Sequence, residues 1–330
     1  MISRAAGALV ALAVLAALAW GCSRQPEVVL YTSCDDYLLR EVIPAFEAKA
    51  GVRVRVVGDT ESTKTTGLVQ RVLAERDRPR ADVWWSNEPF GTIRLDGEGL
   101  LARPARPIAG GADRAAWLIG PEGRWHGFAL RSRAIVYNTK RVQDPPRDEA
   151  TLSDPAWRGR IGMARPQFGT TRGLLGHLWH TMGREGFEGW ARGMKANGVR
   201  VFDGNSAVVR AVAEGVVDVG LTDSDDVHAG IREGWPVAMV VGEASLLIPN
   251  TAGLVRGGPN SASGATLLEF LLGEEVERML ARSDSRTMPA RLGLAEEFAD
   301  NALPARPADL AAVAGSADAA LASWEAIMGR

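Results

Sequence analysis

The chain has 330 residues, 38 Lys plus Arg against 40 Asp plus Glu, and a formal net charge of -2 at pH 7. Its 46% hydrophobic and 24% charged content is that of an ordinary globular protein, and its length allows two lobes, each with its own core. The near-neutral balance, without a basic stripe or zinc-finger spacing, excludes a nucleic-acid binder, and two cysteines without a Cys-x-x-Cys pair exclude a structural zinc site.

Met1 to Arg4 carries one basic residue, and Ala5 to Trp20 is an uncharged apolar run. That run is shorter than the roughly 20 residues of a spanning helix, so it reads as a secretory signal. It ends in Ala19-Trp20-Gly21-Cys22, which resembles a bacterial lipobox with Cys22 as the lipid anchor and residues 1–22 as the signal. Ordinary secretion and a retained anchor are the alternatives, because Trp20 is bulky for that motif. Cys34 is then a buried small hydrophobe, a disulfide partner of Cys22, or a thiolate ligand.

Glu27 to Tyr31 reads as a first buried strand, followed by a polar turn at 32–36. Leu38, Leu39, Val42, Ile43 and Phe46 have helical spacing, closed by Gly51. Val52 to Val57 alternates as a second strand. A polar turn at 58–66, containing Lys64 and Thr65, enters a helix from Gly67 to Asp77. Ala81 to Trp85 is apolar after Ala81-Asp82 and reads as a strand buried on both faces. Strand, helix, strand, helix, strand implies a parallel sheet with right-handed crossovers. Ligands in open α/β sheets sit outside the carboxyl ends of the strands. Ser86-Asn87-Glu88-Pro89 turns there, which delivers the Glu88 carboxylate to a ligand position.

Phe90 to Leu101 reads as a helix, and 103–124 as loop with a short helix. Trp125 to Asn138 is a long strand suited to cross between lobes. Asp154-Pro155-Ala156-Trp157 opens the second lobe. Thr170 and Thr171 stand where a helix begins, with backbone N–H groups that suit either an anion or simple capping. A helix at Phe187 to Asn197 and a strand at Val199 to Phe202 follow. Asp203-Gly204-Asn205-Ser206 caps the next helix, and the strand Val216 to Leu221 runs into Thr222-Asp223-Ser224-Asp225-Asp226. Asp225 and Asp226 are equally readable as favourable charges on a helix start. Pro249-Asn250-Thr251 returns the chain to the first lobe, and helices follow at 261–282, 292–301 and 307–328.

The ordered set Tyr31-Thr32-Ser33, Ala81 to Glu88, Gly99-Leu100-Leu101, Val136-Tyr137-Asn138-Thr139, Asp154 to Gly159, Asn205 to Val209 and Leu221 to Asp226 resembles the ferric-iron-type solute-binding proteins of ABC transporters. The likeness spans about 27–330. It implies an α/β fold of two Rossmann-like lobes, the type II periplasmic binding protein architecture, joined by crossing strands with the ligand cleft between them. The expected division is 27–128 plus 250–283 for lobe 1 and 129–249 plus 284–330 for lobe 2. It further implies a monomeric, periplasmic or cell-surface receptor that is not an enzyme and that delivers cargo to a permease.

In that family a histidine, a glutamate and two adjacent tyrosines hold iron. Their places here are Asp35, Glu88 and Asp225-Asp226, so Asp35, Glu88, Asp225 and Asp226 are the implied oxygen ligands. Carboxylates alone suit hard cations generally, Fe³⁺ among them, as transported ligand and not as catalytic cofactor. The family's anion positions correspond to Gly169, Thr170, Thr171, Asn205 and Asp223. Four clustered carboxylates repel one another, a strain relieved by a cation, by an amine-bearing solute, or internally by Lys64, Arg131, Arg133 or Arg172. An aminophosphonate, phosphate ester or polyamine-like cation is therefore the alternative cargo, with Lys64, Thr65, Thr170, Thr171 and Asn205 on its anionic end. Two enzyme-like or metal-site readings remain: Ser224 with His228 and Asp225 as a hydrolase, and His177 with His180 as a metal pair. Both are weaker than capping and packing roles for the same residues.

Overall fold

The computed structural model describes residues 25–59, 66–108 and 113–329. The signal run, Cys22, Lys64 and Thr65 lie outside them. A ten-stranded sheet carries the fold in the order β2-β1-β3-β10-β5-β8-β6-β7, with β4 on β10 and β9 on β5.

The first lobe starts with β1 (Glu27–Thr32), α1 (Asp36–Ala50), β2 (Arg53–Gly58), α2 (Thr66–Ala74), β3 (Val83–Ser86), α3 (Pro89–Gly97) and β4 (Leu101–Ala102). β1 pairs in parallel with both β2 and β3, as the strand–helix alternation requires. Gly51 takes φ 65 at the C-cap of α1 and closes it as expected. Asp82 stitches this lobe together. Its carboxylate accepts the Val29 N–H at 2.8 Å and the Asn260 side-chain amide at 3.1 Å. Trp84 and Trp85 are fully buried, with their indole N–H groups donating to Thr92 (2.7 Å) and Asn250 (3.3 Å). Both belong to the core and neither lines the cleft.

β5 (Trp125–Asn138) is the crossing strand. Its first half, from Trp125 to Ser132, pairs antiparallel with β10 (Leu247–Val255). Its second half pairs with β8 (Val219–Asp223) and β9 (Val237–Val240). β10 runs back beside β3, with Thr251 opposite Ser86. The second lobe adds β6 (Ile161–Ala164), α4 (Gly169–Ala196), β7 (Arg200–Phe202), α5 (Asn205–Ala213) and α6 (Ser224–Arg232). Gly183, at φ 69 and ψ 172, breaks α4 into the two helical pieces that the sequence suggests.

Among the apolar clusters that fill the lobes, two bear on how the chain is divided. Leu30, Phe46, Val83, Phe128, Leu268 and Leu280 represent the first. Ile135, Ile161, Leu174, Phe187, Leu221 and Trp324 represent the second. After β10 come α7 (Ser261–Leu271), α8 (Glu274–Arg282) and α9 (Leu310–Met328). The expected division at 284 needs correction. Met288, Ala290, Leu303 and Ala305 pack into the first core, and only α9 joins the second through Ala320 and Trp324. The helix expected at 292–301 is two short 3-10 turns, Leu292–Leu294 and Ala299–Asn301. Gly293 weakens helix there, and Leu292 is 71% exposed with no core to meet.

Candidate functional site

The carboxyl ends of β1, β3, β6 and β8 point at one cleft, together with the starts of α1, α4, α5 and α6. None of those four helices is capped by its own N-cap side chain. Their first N–H groups are therefore left for other partners, and each start carries partial positive charge. The cleft is open to solvent and holds a cavity of about 50 Å³.

At its base lies a buried polar network. The Asp223 carboxylate faces Arg133 Nη1 at 2.7 Å and Arg131 Nε at 3.3 Å. It also accepts the Thr170 hydroxyl at 2.8 Å and the Asn205 amide at 3.0 Å. Burial pushes the Asp223 carboxyl up, but Arg133 and Arg131 outweigh that and hold it below the ordinary value. Arg131 stands at the centre of the acids. Its Nε lies 3.4 Å from Asp225 Oδ2, and its Nη1 donates to the Asn87 carbonyl of the first lobe. Burial alone would lower the Arg131 pKa; the charges of Asp225, Asp223, Asp226 and Asp35 raise it instead. Asp223, Asp225 and Asp226 have ligand oxygens within 4.8 Å of one another. Asp35 lines the same cleft from the first lobe.

The rest of the second-lobe lining is mostly neutral and adjoins Asp223. Thr170 and Thr171 open α4 and line the cleft, as does Asn205 at the start of α5. Gly169, in the left-handed region at φ 54, lets the chain turn into the helix there. Arg165 and Asp203 form an exposed ion pair of 2.6 Å at the rim.

Glu88 departs from the expected arrangement. Its carboxylate turns back onto α3 and accepts the Phe90 N–H at 2.6 Å and the Gly91 N–H at 3.0 Å. It is 2% exposed and lines a second opening between the lobes, beside Phe90, Arg172 and Gly173, not the acid-lined cleft. Burial raises its pKa, partly offset by the two backbone N–H groups and Arg131. Pro89 at the first helical position is the sequence signal for this cap. Asn87 reaches the cleft in its place. Of the expected metal set, Asp35, Asp225 and Asp226 line one cleft together with Asp223, whereas Glu88 lines the second opening.

Other expectations resolve locally. Arg172 pairs with Asp318 of α9 and lies away from the acids. His177 Nε2 is 2.9 Å from the Ala244 carbonyl, and burial lowers its pKa. The Ser224 hydroxyl oxygen accepts the Ser132 N–H at 3.2 Å, a structural role. Cys34 is buried, with its thiol 3.5 Å from Asn250 Oδ1. Sequence reasoning missed Tyr37. Its side chain is 38% exposed overall, and burial of the hydroxyl end, followed by the charges of Asp225 and Asp35, raises its pKa. Its signal was position: it directly follows Asp35 and Asp36 in the first turn of α1.

The chain matches the bacterial extracellular solute-binding protein family over residues 99–310. It belongs to that family. Among relatives of this solute-binding protein, iron uptake protein A1 of a Synechocystis strain is 26% identical over 276 residues, covering 79% of this chain and 75% of that protein. A relative from Salmonella typhimurium, named for 2-aminoethylphosphonate binding, is 25% identical over 256 residues and covers 75% and 72%. Iron-bound HitA from Pseudomonas aeruginosa superposes with a TM-score of 0.77 at 24% identity, covering 92% of this chain and 99% of HitA. The fold is therefore that of the type II periplasmic binding proteins. Among the described residues, no helix is long and apolar enough to cross a membrane.

Proposed function

We propose that this solute-binding protein captures a hard metal ion, ferric iron foremost, together with an anion, and delivers it to an ABC transporter permease. One observation carries the reading: the oxygens of Asp223, Asp225 and Asp226 converge within 4.8 Å, with Asp35 lining the same cleft from the other lobe. Hard oxygen donors suit hard cations. The uncapped starts of α4 and α5, with Thr170, Thr171 and Asn205, suit the accompanying anion. Because Asp35 and Asn87 come from the first lobe and the other lining residues from the second, a ligand bound to both sides favours closure. The iron-related names of the Synechocystis and Pseudomonas proteins support the same cargo.

A small organic zwitterion is the second reading. Arg131 among the acids and the name of the Salmonella relative favour it. We read residues 1–22 as a lipoprotein signal with its lipobox cysteine, cleaved before Cys22, so the mature chain begins at an acylated Cys22; mass spectrometry of membrane-extracted protein tests this.

The deciding experiment is a melting series on metal-stripped protein with ferric citrate, Ca²⁺, Mn²⁺ and 2-aminoethylphosphonate. A cargo at roughly 100 times its Kd adds about 2.7 kcal/mol of stability. Stabilisation by the ferric complex, absent with citrate alone, supports iron capture. Stabilisation by the aminophosphonate alone overturns it.

A further inference from the structure

Arginines gather at the end of the first lobe that lies away from the cleft. β1, β2 and β3 run in parallel toward the cleft, so their first residues lie at that far end. β10 runs antiparallel to β3, and β4 antiparallel to β10, so the end of β10 and the start of β4 lie there too. Four separate stretches bring exposed arginines to it: Arg53 opening β2, Arg78 and Arg80 before β3, Arg103 and Arg106 after β4, and Arg256 after β10. Arg80 and Arg256 line one surface opening, and Arg103 and Arg106 another. None of the six forms an ion pair among the described residues. Arg256 donates instead to the carbonyls of Gly99 (2.6 Å) and Leu101 (3.2 Å).

The acids of this end are engaged elsewhere. Glu27 pairs with Arg55 at 3.3 Å and Glu98 with Arg76 at 2.8 Å, while Asp96 and Glu122 share Arg124. Glu47 accepts the Val54 N–H at 2.7 Å, and Glu75 the Tyr31 hydroxyl at 3.0 Å. Asp77 is exposed beside Arg78. A face carrying six arginines outside any ion pair suits an extended anionic partner.

The path of the chain selects the partner. The Pro26 carbonyl accepts the Arg53 N–H at 2.8 Å, and the Gln25 amide donates to the Gly51 carbonyl at 3.5 Å. The chain therefore enters the fold at this same end. Cys22 is three residues before Gln25, a reach of about 11 Å at full extension. A lipid on Cys22 thus sets the arginines against the bilayer, and at a Debye length of about 8 Å they feel the headgroup charge.

We propose that this end of the first lobe is a docking face for anionic phospholipid headgroups, which orients the tethered receptor on the membrane. The inference goes beyond the cargo reading and rests on the lipid-anchor reading above for its choice of partner. With the first lobe held down, the second is left to open and close.

The test removes the tether and measures the face. The full mature chain with Cys22→Ser, which cannot be acylated, is sedimented with vesicles of phosphatidylcholine alone or mixed equally with phosphatidylglycerol. Binding is expected only with phosphatidylglycerol, and is expected to weaken as salt rises. Each arginine near an anionic surface contributes about fivefold to partitioning. Arg78→Gln, Arg80→Gln, Arg103→Gln and Arg106→Gln together should therefore weaken binding on the order of a hundredfold. Arg184→Gln, Arg192→Gln, Arg200→Gln and Arg210→Gln, all exposed on the second lobe, change the net charge equally and should leave binding intact. Melting curves check folding; Arg103→Gln with Arg106→Gln carries the test if the fourfold variant does not fold. Equal binding to both vesicles, or equal loss in the two fourfold variants, overturns the proposal. The lipid-anchor reading fails separately, on an unmodified mass at Cys22; phosphatidylglycerol-dependent binding of the Cys22→Ser chain would still support the face.

Discussion

Replacing Asp223 with asparagine removes the charge that holds the base of the cleft together. The carboxylate is 2% exposed and Arg133 is fully buried. Two of Arg133's nitrogens, Nε and Nη2, are buried without a hydrogen-bond partner among the described residues, so Asp223 is its principal countercharge. Removing one member of a buried pair costs about 3–5 kcal/mol, because the other charge is left uncompensated. For a domain the size of the second lobe this lowers the melting temperature by roughly 6–20 °C. The pH dependence has a definite sign. Asp223 is held below its ordinary value of 3.8, so its contribution is complete above that value and is lost as pH falls through the folded-state pKa. Wild type and Asp223→Asn should therefore differ fully at neutral pH and converge only below about pH 4. Thermal and urea melts of both proteins across that range measure it. A loss under about 1 kcal/mol at neutral pH, the value of a solvent-screened surface pair, would refute the buried-network reasoning.

Three further outcomes follow from the geometry. Glu88→Ala should cost about 1 kcal/mol through loss of the α3 cap and leave metal affinity unchanged by calorimetry; abolished binding would return Glu88 to the ligand set. At Gly173 an added Cβ would lie 2.0 Å from Phe90 Cε2, so Gly173→Ala should weaken cargo binding by forcing the lobes or the ring apart. Phe90→Ala on that background should restore it, and an affinity that stays low in the double variant would count against this contact. Burial, aided by the Arg114 charge, lowers His126 to about 4 from 6.5. The neutral ring is favoured in the fold, so its contribution is full above pH 6.5 and is lost as pH falls toward 4. His126→Gln should flatten that part of the stability curve, which runs on the order of 3 kcal/mol; an unchanged slope would show that His126 does not carry it.

Local pattern was enough for most of the architecture. Buried apolar runs marked β1, β3 and β8, helical spacing marked α1, and the unbroken run from Trp125 to Asn138 marked the crossing strand. A separate helix from Phe187 was legible, and the break before it falls at Gly183, because glycine tolerates that backbone cheaply. The residues after 284 were not legible in the same way. Met288, Ala290 and Ala305 are apolar in either lobe, and only the path of the chain shows which core receives them.

Residue identity and spacing determined that acids at 35, 223, 225 and 226, with threonines at 170 and 171, would stand at strand ends and helix starts, because those turns are built from neighbours in the chain. Tertiary structure alone decided how the charges are shared. The Glu88 carboxylate is taken by the nearby N–H groups of its own helix. Arg131 sits more than ninety residues before Asp225, and only the pairing of β5 with β8 puts its charge among the acids. Electrostatic partners are chosen by distance in space, which a one-dimensional pattern does not contain.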